Sequence, residues 1–275
     1  MSAQAAVASS PSSSPTLLRE TIGPVAVLTL NRPAQRNSLS EALIGELHGT
    51  LAAIASDTSV RAVVIAANGP AFCAGHDLKE LTAHRTDADR GRAFFARLMN
   101  ACSAMMQTIV HLPKPVVAAV QGIATAAGCQ LVASCDLAVA SDAASFATPG
   151  VDIGLFCSTP MVALSRNVTR KQAMEMLLTG EPVAASRARD IGLINRVVPA
   201  GTEREAAIAL AQQVALKSAY TVKLGKEAFY RQAEMSLADA YRHAAEVMTE
   251  NMLARDAEEG IGAFIEKRKP TWRDE

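Results

Sequence analysis

Apolar residues run almost unbroken through Val25 to Leu30, return from Arg61 to Ala67, and return again from Val116 to Val120. Short β-branched runs of this kind, bounded by turn residues, predict strands buried on both faces. The first run meets a turn of Asn31, Arg32, Pro33 and Asn37, after which Ser38 or Ser40 can cap a helix reaching about Ala55. The second meets Asn68-Gly69-Pro70, with Gly75 ahead of a polar helical segment that opens near Leu78. Helical periodicity spans Arg92 to His111 until Pro113 and Pro115 end it. The third run then leads through Gly122 and Gly128 into an apolar helix. Short strands follow at Asp136 to Ala140 and Ser145 to Thr148, and from Met161 onward the pattern is helical apart from Leu193 to Val198. Strands alternating with helices predict an α/β fold whose ligand sits at strand ends, where the glycine-bearing turns gather.

Composition narrows this picture. The 275 residues are 49% hydrophobic, enough for one substantial core. Lys plus Arg total 27 and Asp plus Glu total 27, so no global field attracts nucleic acid or an anionic membrane, and an anionic ligand must be met locally. No apolar stretch approaches the roughly 20 residues that span a bilayer. The five cysteines, Cys73, Cys102, Cys129, Cys135 and Cys157, show neither a CxxC pair nor zinc spacing, which predicts free thiols in a reducing compartment and no metal. Residues 1–16, rich in Ala and Ser and without Arg, resemble neither a secretory signal nor a transit peptide and predict a disordered tail.

The sequence carries no GxGxxG, GxxxxGK[ST], GxSxG or HExxH pattern. What remains is a pair of small-residue strand-to-helix turns, Ala74-Gly75-His76-Asp77 and Ala126-Ala127-Gly128-Cys129. Such turns serve tight helix–sheet packing. They also let a ligand carbonyl approach peptide N–H groups, and two facing each other would form an oxyanion hole.

Leu30-Asn31-Arg32-Pro33 with Asn37-Ser38-Leu39, and then Phe72-Cys73-Ala74-Gly75-His76-Asp77-Leu78-Lys79-Glu80, resemble the two opening signatures of the enoyl-CoA hydratase/isomerase (crotonase) family. The resemblance continues through Pro113-Lys114-Pro115, Ala126 to Asp136, Phe146 to Pro149, Leu178-Thr179-Gly180 and Phe264 to Lys269, covering residues 17–272. Residues 124–136 and 146–160 resemble one branch of that family in particular. It implies a spiral of repeated β-β-α units over residues 17–205 and a helical region over 206–275 that mediates trimerisation, as a homotrimer or a dimer of trimers.

Carried over by position, the resemblance puts the oxyanion-hole N–H groups on His76 and Ala127. It puts the two family glutamates on Gln130 and Gly150, and a third acidic position near Ser158. None of the three carries a carboxylate. Gln35, Arg36, Ala74, His76, Asp77, Leu78 and Lys79 would border coenzyme A, with Phe264 and Lys267 approaching from a neighbouring subunit. Phe156, Cys157 and Ser158 would line the acyl pocket. Coenzyme A enters as part of the substrate, and no other cofactor is implied. The His76 ring and Asp152 are candidate substitutes for the missing acids. Asp77 also reads as a helix-start stabiliser, and Cys73 and Cys129 as small packing residues. The readings that follow are an enzyme of the hydratase, isomerase or decarboxylase kind acting through a thioester enolate, a non-catalytic acyl-CoA binding protein, and a thioester hydrolase. The expected compartment is the cytoplasm, or the mitochondrial matrix in a eukaryote.

Overall fold

The computed structural model describes residues 15–275. The tail expected over 1–16 therefore falls outside the described residues except for its last two, and those are held by the fold. Asn31 donates its backbone N–H to the Thr16 carbonyl at 2.8 Å and its side-chain amide to the Pro15 carbonyl at 2.9 Å.

The chain opens with an antiparallel pair, β1 (Leu17–Ile22) and β2 (Val25–Leu30), followed by α1 (Glu41–Ser56). Ser40 is the residue that caps α1, accepting from the Leu43 N–H at 3.3 Å. Next come β3 (Ala62–Ala67), β4 (Ala71–Cys73), α2 (Leu78–Ala83) and α3 (Arg92–His111), then β5 (Val116–Val120), β6 (Ile123–Thr125) and α4 (Ala127–Ser134). After these lie β7 (Leu137–Ser141), β8 (Ser145–Ala147), α5 (Pro160–Leu164) and α6 (Arg170–Thr179). The chain then runs through β9 (Val183–Ala184), α7 (Ala185–Asp190), β10 (Arg196–Val198), α8 (Glu203–Ala215), α9 (Ala219–Gln232), α10 (Leu237–Leu253) and α11 (Arg255–Ile265).

Six strands form one sheet in the order β1-β2-β3-β5-β7-β10, and the short strands form a second in the order β4-β6-β8-β9. Each of β3, β5 and β7 is thus followed by a short strand in the other sheet and then by helix, which is the repeated β-β-α unit. The apolar pattern alone gives a strand–turn–helix grammar instead, because β4 and β6 are three residues long and too short to show alternation. β1 leaves no periodic signal either, since Leu18 to Thr21 are all exposed on an edge strand.

The large sheet is buried on both faces, as its continuous apolar runs require. Along β2, Ala26, Leu28 and Leu30 join the core beneath α1, α3 and α4. Val25 and Val27 join the opposite layer with Ala62, Val64, Val117 and Val139, covered by Ala207, Ile208 and Ala211 of α8. The large sheet's second cover is therefore α8. The outlying helices begin at Ala219, beyond the boundary at 205 read from the sequence. No residue of α9 or α10 is buried within the single chain, and Leu253 and Phe264 are 77% and 84% exposed.

α9 is tied back to the core by one polar cluster. Lys226 Nζ donates to Asp136 Oδ2 at 2.7 Å and to the Ile109 and Lys114 carbonyls, each at 3.0 Å. The Asp136 carboxylate also accepts from the Val116 N–H at 2.7 Å and the Tyr230 hydroxyl at 2.9 Å. Among the described residues no helix is long and apolar enough to cross a membrane, and no cluster of His, Cys, Asp and Glu is placed to hold a metal.

Candidate active site

The two small-residue turns abut. Gly75 adopts φ +87, and a Cβ built on it would sit 3.0 Å from Ala126 Cβ and 3.6 Å from the Ala127 nitrogen. A Cβ on Gly128 would lie 2.1 Å from the Cys73 carbonyl oxygen, so the first turn of α4 rests directly on the end of β4. Only glycine lets the two backbones come this close.

Several contacts fix the first turn. Leu39 donates to the Gly75 carbonyl at 2.8 Å, Asp77 donates to the Leu39 carbonyl at 3.1 Å, and Ala74 donates to the Arg36 carbonyl at 3.0 Å. The Asp77 carboxylate caps α2 by accepting from the Lys79 N–H at 3.2 Å and the Glu80 N–H at 3.4 Å. It also accepts from Arg32 Nη2 at 3.0 Å and from the Ser38 hydroxyl at 3.2 Å. Burial opposes its ionisation, but Arg32, the Glu80 N–H and Ser38 outweigh that and hold the carboxyl below its ordinary value. Asp77 is thus committed to protein partners, in keeping with a helix-start stabiliser. In the second turn Ala126 is held at φ 50 and ψ −117, a conformation disfavoured for a residue with a Cβ, while its N–H donates to the Ala147 carbonyl at 2.9 Å. Strain of this kind, typically about 1–3 kcal/mol, is sustained by the surrounding contacts. It aims the next peptide, that of Ala127.

Neither the His76 N–H nor the Ala127 N–H donates to any group among the described residues. Both belong to the abutting turns, and Ala127 opens α4, whose positive end favours a developing oxyanion. Alanine at 127 keeps the donor that the arrangement needs.

The side chains around this pair are neutral. Gln130 is 5% exposed and its Oε1 has no partner. The Gln130 N–H donates to the Ala126 carbonyl at 3.0 Å, one helical turn along from the Ala126–Ala127 peptide, and side chains on a helix lean toward its N-terminus. His76 has both ring nitrogens buried, and burial, partly offset by the Leu39 backbone, pulls its pKa below the ordinary imidazole value, which favours the uncharged ring. Gly150 is enclosed: a Cβ there would lie 2.9 Å from Cys157 Sγ, 3.0 Å from the Leu155 carbonyl oxygen and 3.2 Å from the Cys157 nitrogen. The loop 155–157 fills the space that a side chain at 150 would need. Burial pushes the Cys73 and Cys129 thiols to about 12 and raises that of Cys157, so all three stay protonated packing groups. Asp152 turns toward the Gly180 turn, where a Cβ on Gly180 would meet its carboxylate oxygens at 3.1 and 3.3 Å. It lends no carboxylate to position 150.

Gln35 and Arg36 are exposed beside the first turn, joined to it through the Arg36 carbonyl. Leu78 and Lys79 are exposed on its other side. Phe156 and Ser158 are exposed and flank the buried Cys157. Phe264 and Lys267 lie exposed at the end of α11, with no placement at the turns within one chain. Two cavities of about 420 and 310 Å³, one against α1 and α3 and the other against α6 and α7, contain none of these residues. Thr148, fully buried with an unpaired hydroxyl, gave no signal in the sequence, which reads it only as the end of the short strand from Ser145.

Fold and site together define an α/β protein of repeated β-β-α units that offers two unpaired backbone donors at adjoining turns. The enoyl-CoA hydratase/isomerase family profile matches residues 20–275, and the chain belongs to that family. Human mitochondrial enoyl-CoA hydratase domain-containing protein 3 is 46% identical over 261 residues, which is 95% of this chain and 84% of that protein. The crystal structure of the human protein superposes with a TM-score of 0.89 at 45% identity, covering 94% of this chain and 100% of that one. An enoyl-CoA hydratase from Mycobacterium smegmatis superposes equally well, with a TM-score of 0.89 at 50% identity over 94% of this chain and 99% of that one. The similarity to the human protein falls on the branch that residues 124–136 and 146–160 resemble.

Proposed function

We propose that this protein binds an acyl-CoA thioester with its carbonyl oxygen between the His76 and Ala127 N–H groups, which would stabilise the enolate that forms when charge moves onto that oxygen. The observation that carries this reading is the pair of unpaired N–H groups on abutting turns. One well-placed oxyanion donor typically contributes about 3 kcal/mol to a transition state. Gln35, Arg36, Leu78 and Lys79 border coenzyme A. Phe156, Cys157 and Ser158 lie on the acyl side.

Standard water addition needs proton transfer, and a carboxylate acting as general acid or base contributes about 10²- to 10⁴-fold. Gln130 cannot exchange a proton near neutral pH, and Gly150 has no side chain and no room for one. Hydration of crotonyl-CoA is therefore slow, and the protein acts on its thioester through the oxyanion hole alone. The enclosure of Gly150 supports a second reading, an acyl-CoA binding protein that performs no turnover. Calorimetric titration with crotonyl-CoA, paired with loss of enoyl absorbance, tests both. Binding is expected with either reading, turnover of any thioester in a substrate panel supports the first, and failure to bind sinks both.

The apolar side chains exposed on α9 to α11 support a homotrimer or a pair of trimers, in which Phe264 and Lys267 reach a neighbour's nucleotide site. Light scattering of the purified protein tests this, and a monomer at micromolar concentration would count against it. Five free thiols and the mitochondrial name of the human relative support a reducing compartment, either cytoplasm or matrix.

A further inference from the structure

The peptide group joining Gly75 to His76 has a different partner at each end. Its N–H, on His76, is one of the two unpaired donors, while its carbonyl, on Gly75, accepts from the Leu39 N–H at 2.8 Å. Gly75, at φ +87, has the backbone freedom to let this peptide plane turn, so the bond from Leu39 decides where the donor points. The same bond polarises the peptide group and strengthens its N–H as a donor. Whatever places Leu39 therefore aims His76.

Asn37 sets the segment that carries Leu39. It is 0% exposed, and its side chain makes three hydrogen bonds to backbone. Nδ2 donates to the Asn68 and Ala71 carbonyls, each at 2.8 Å, and Oδ1 accepts from the Arg32 N–H at 2.8 Å. Both amide protons are thus committed at the start of β4. The residue sits at φ 54, a left-handed conformation that asparagine tolerates better than most side chains. The backbone on either side of it lies along the far end of β4. There the Arg36 carbonyl accepts from the Ala74 N–H at 3.0 Å, and Leu39 bridges in parallel to His76, its carbonyl accepting from the Asp77 N–H at 3.1 Å. One buried side chain so pins residues 36–39 to β4, and their peptide groups hold the turn.

We propose that Asn37 is a positioning residue of the oxyanion hole, acting through the Leu39 N–H to orient the Gly75–His76 peptide toward the thioester carbonyl. This inference rests on the acyl-CoA reading above and deepens it.

The test reads the carbonyl stretch of bound, carbonyl-labelled crotonyl-CoA by isotope-edited infrared difference spectroscopy, with affinities from calorimetry. Asn37→Gly permits the same φ and makes none of the three bonds. Asn37→Asp keeps the shape and the acceptor without the two donors, and carries the test if the glycine variant does not fold. Val139→Ala, in the layer covered by α8 on the opposite face of the large sheet, controls for lowered stability alone. Wild type is expected to move the stretch to lower frequency, because hydrogen bonds to the oxygen weaken the C=O bond. Both Asn37 variants should lose the part of that shift supplied by His76 and bind roughly twofold to tenfold more weakly, the worth of one hydrogen bond. Val139→Ala should melt lower yet keep the whole shift. A whole shift in a folded Asn37 variant, or an equal loss in Val139→Ala, overturns the inference and leaves the acyl-CoA reading standing. Wild type that binds without a shift, or does not bind, overturns both.

Discussion

The closeness of the two turns makes Gly128→Ala an incisive perturbation. The added methyl would meet the Cys73 carbonyl oxygen at 2.1 Å, its carbonyl carbon at 2.8 Å and Cys73 Cβ at 2.9 Å. Two of these neighbours are backbone atoms of β4, which cannot rotate aside, so α4 must draw away from the strand. Overpacking a well-filled interior typically costs 1–3 kcal/mol, and a backbone clash belongs at about 3 kcal/mol or above. For a chain of this size, about 3 kcal/mol lowers the melting temperature by roughly 6–12 °C. The same withdrawal would part the His76 and Ala127 N–H groups, so crotonyl-CoA affinity should fall along with stability. Gly45→Ala is the control: it lies inside α1 with nothing within 4 Å of the added Cβ and should stabilise by up to about 1 kcal/mol. Thermal melting and calorimetry on the three proteins decide the matter. A Gly128→Ala protein that melts and binds like wild type would refute the contact between α4 and β4.

Gly150→Ala should destabilise by about 1–3 kcal/mol because its methyl meets Cys157 Sγ at 2.9 Å, and Cys157→Ala should recover part of the loss; chemical denaturation of the single and double variants measures both. Lys226→Met leaves the half-buried Asp136 carboxylate without its cation and should cost about 3–5 kcal/mol, whereas adding Asp136→Asn should return part of that; strictly additive losses would contradict the cluster. The folded-state pKa of Asp77 lies below its unfolded value, so its stabilising contribution is present above about pH 4 and fades as pH falls through the folded value. The stability gap between wild type and Asp77→Asn should therefore shrink in acid, as read by urea midpoints between pH 3 and pH 7.

The sequence disclosed the long elements and little of the short ones. Buried runs such as Val25 to Leu30 and Val116 to Val120 announce themselves because both faces of the large sheet are covered. β4, β6 and β9 do not, since two or three residues carry no period and are specified by partners far along the chain. Both turns were legible as small-residue motifs, and the family resemblance drew attention to Gln130 and Gly150. The filling of the space at Gly150 by Leu155 and Cys157, the turning away of Asp152 and the orphaned Thr148 hydroxyl were not legible, because each depends on which segments meet in space. Nor could helix periodicity separate α8, which covers the sheet, from α9 and α10, which leave their apolar faces open.

An oxyanion hole working without carboxylates is tested by crotonyl-CoA hydration, followed as loss of enoyl absorbance on protein shown by calorimetry to bind the thioester. Saturable binding is expected, with hydration near background that Gln130→Ala does not lower further. Rapid hydration abolished by Gln130→Ala would contradict it.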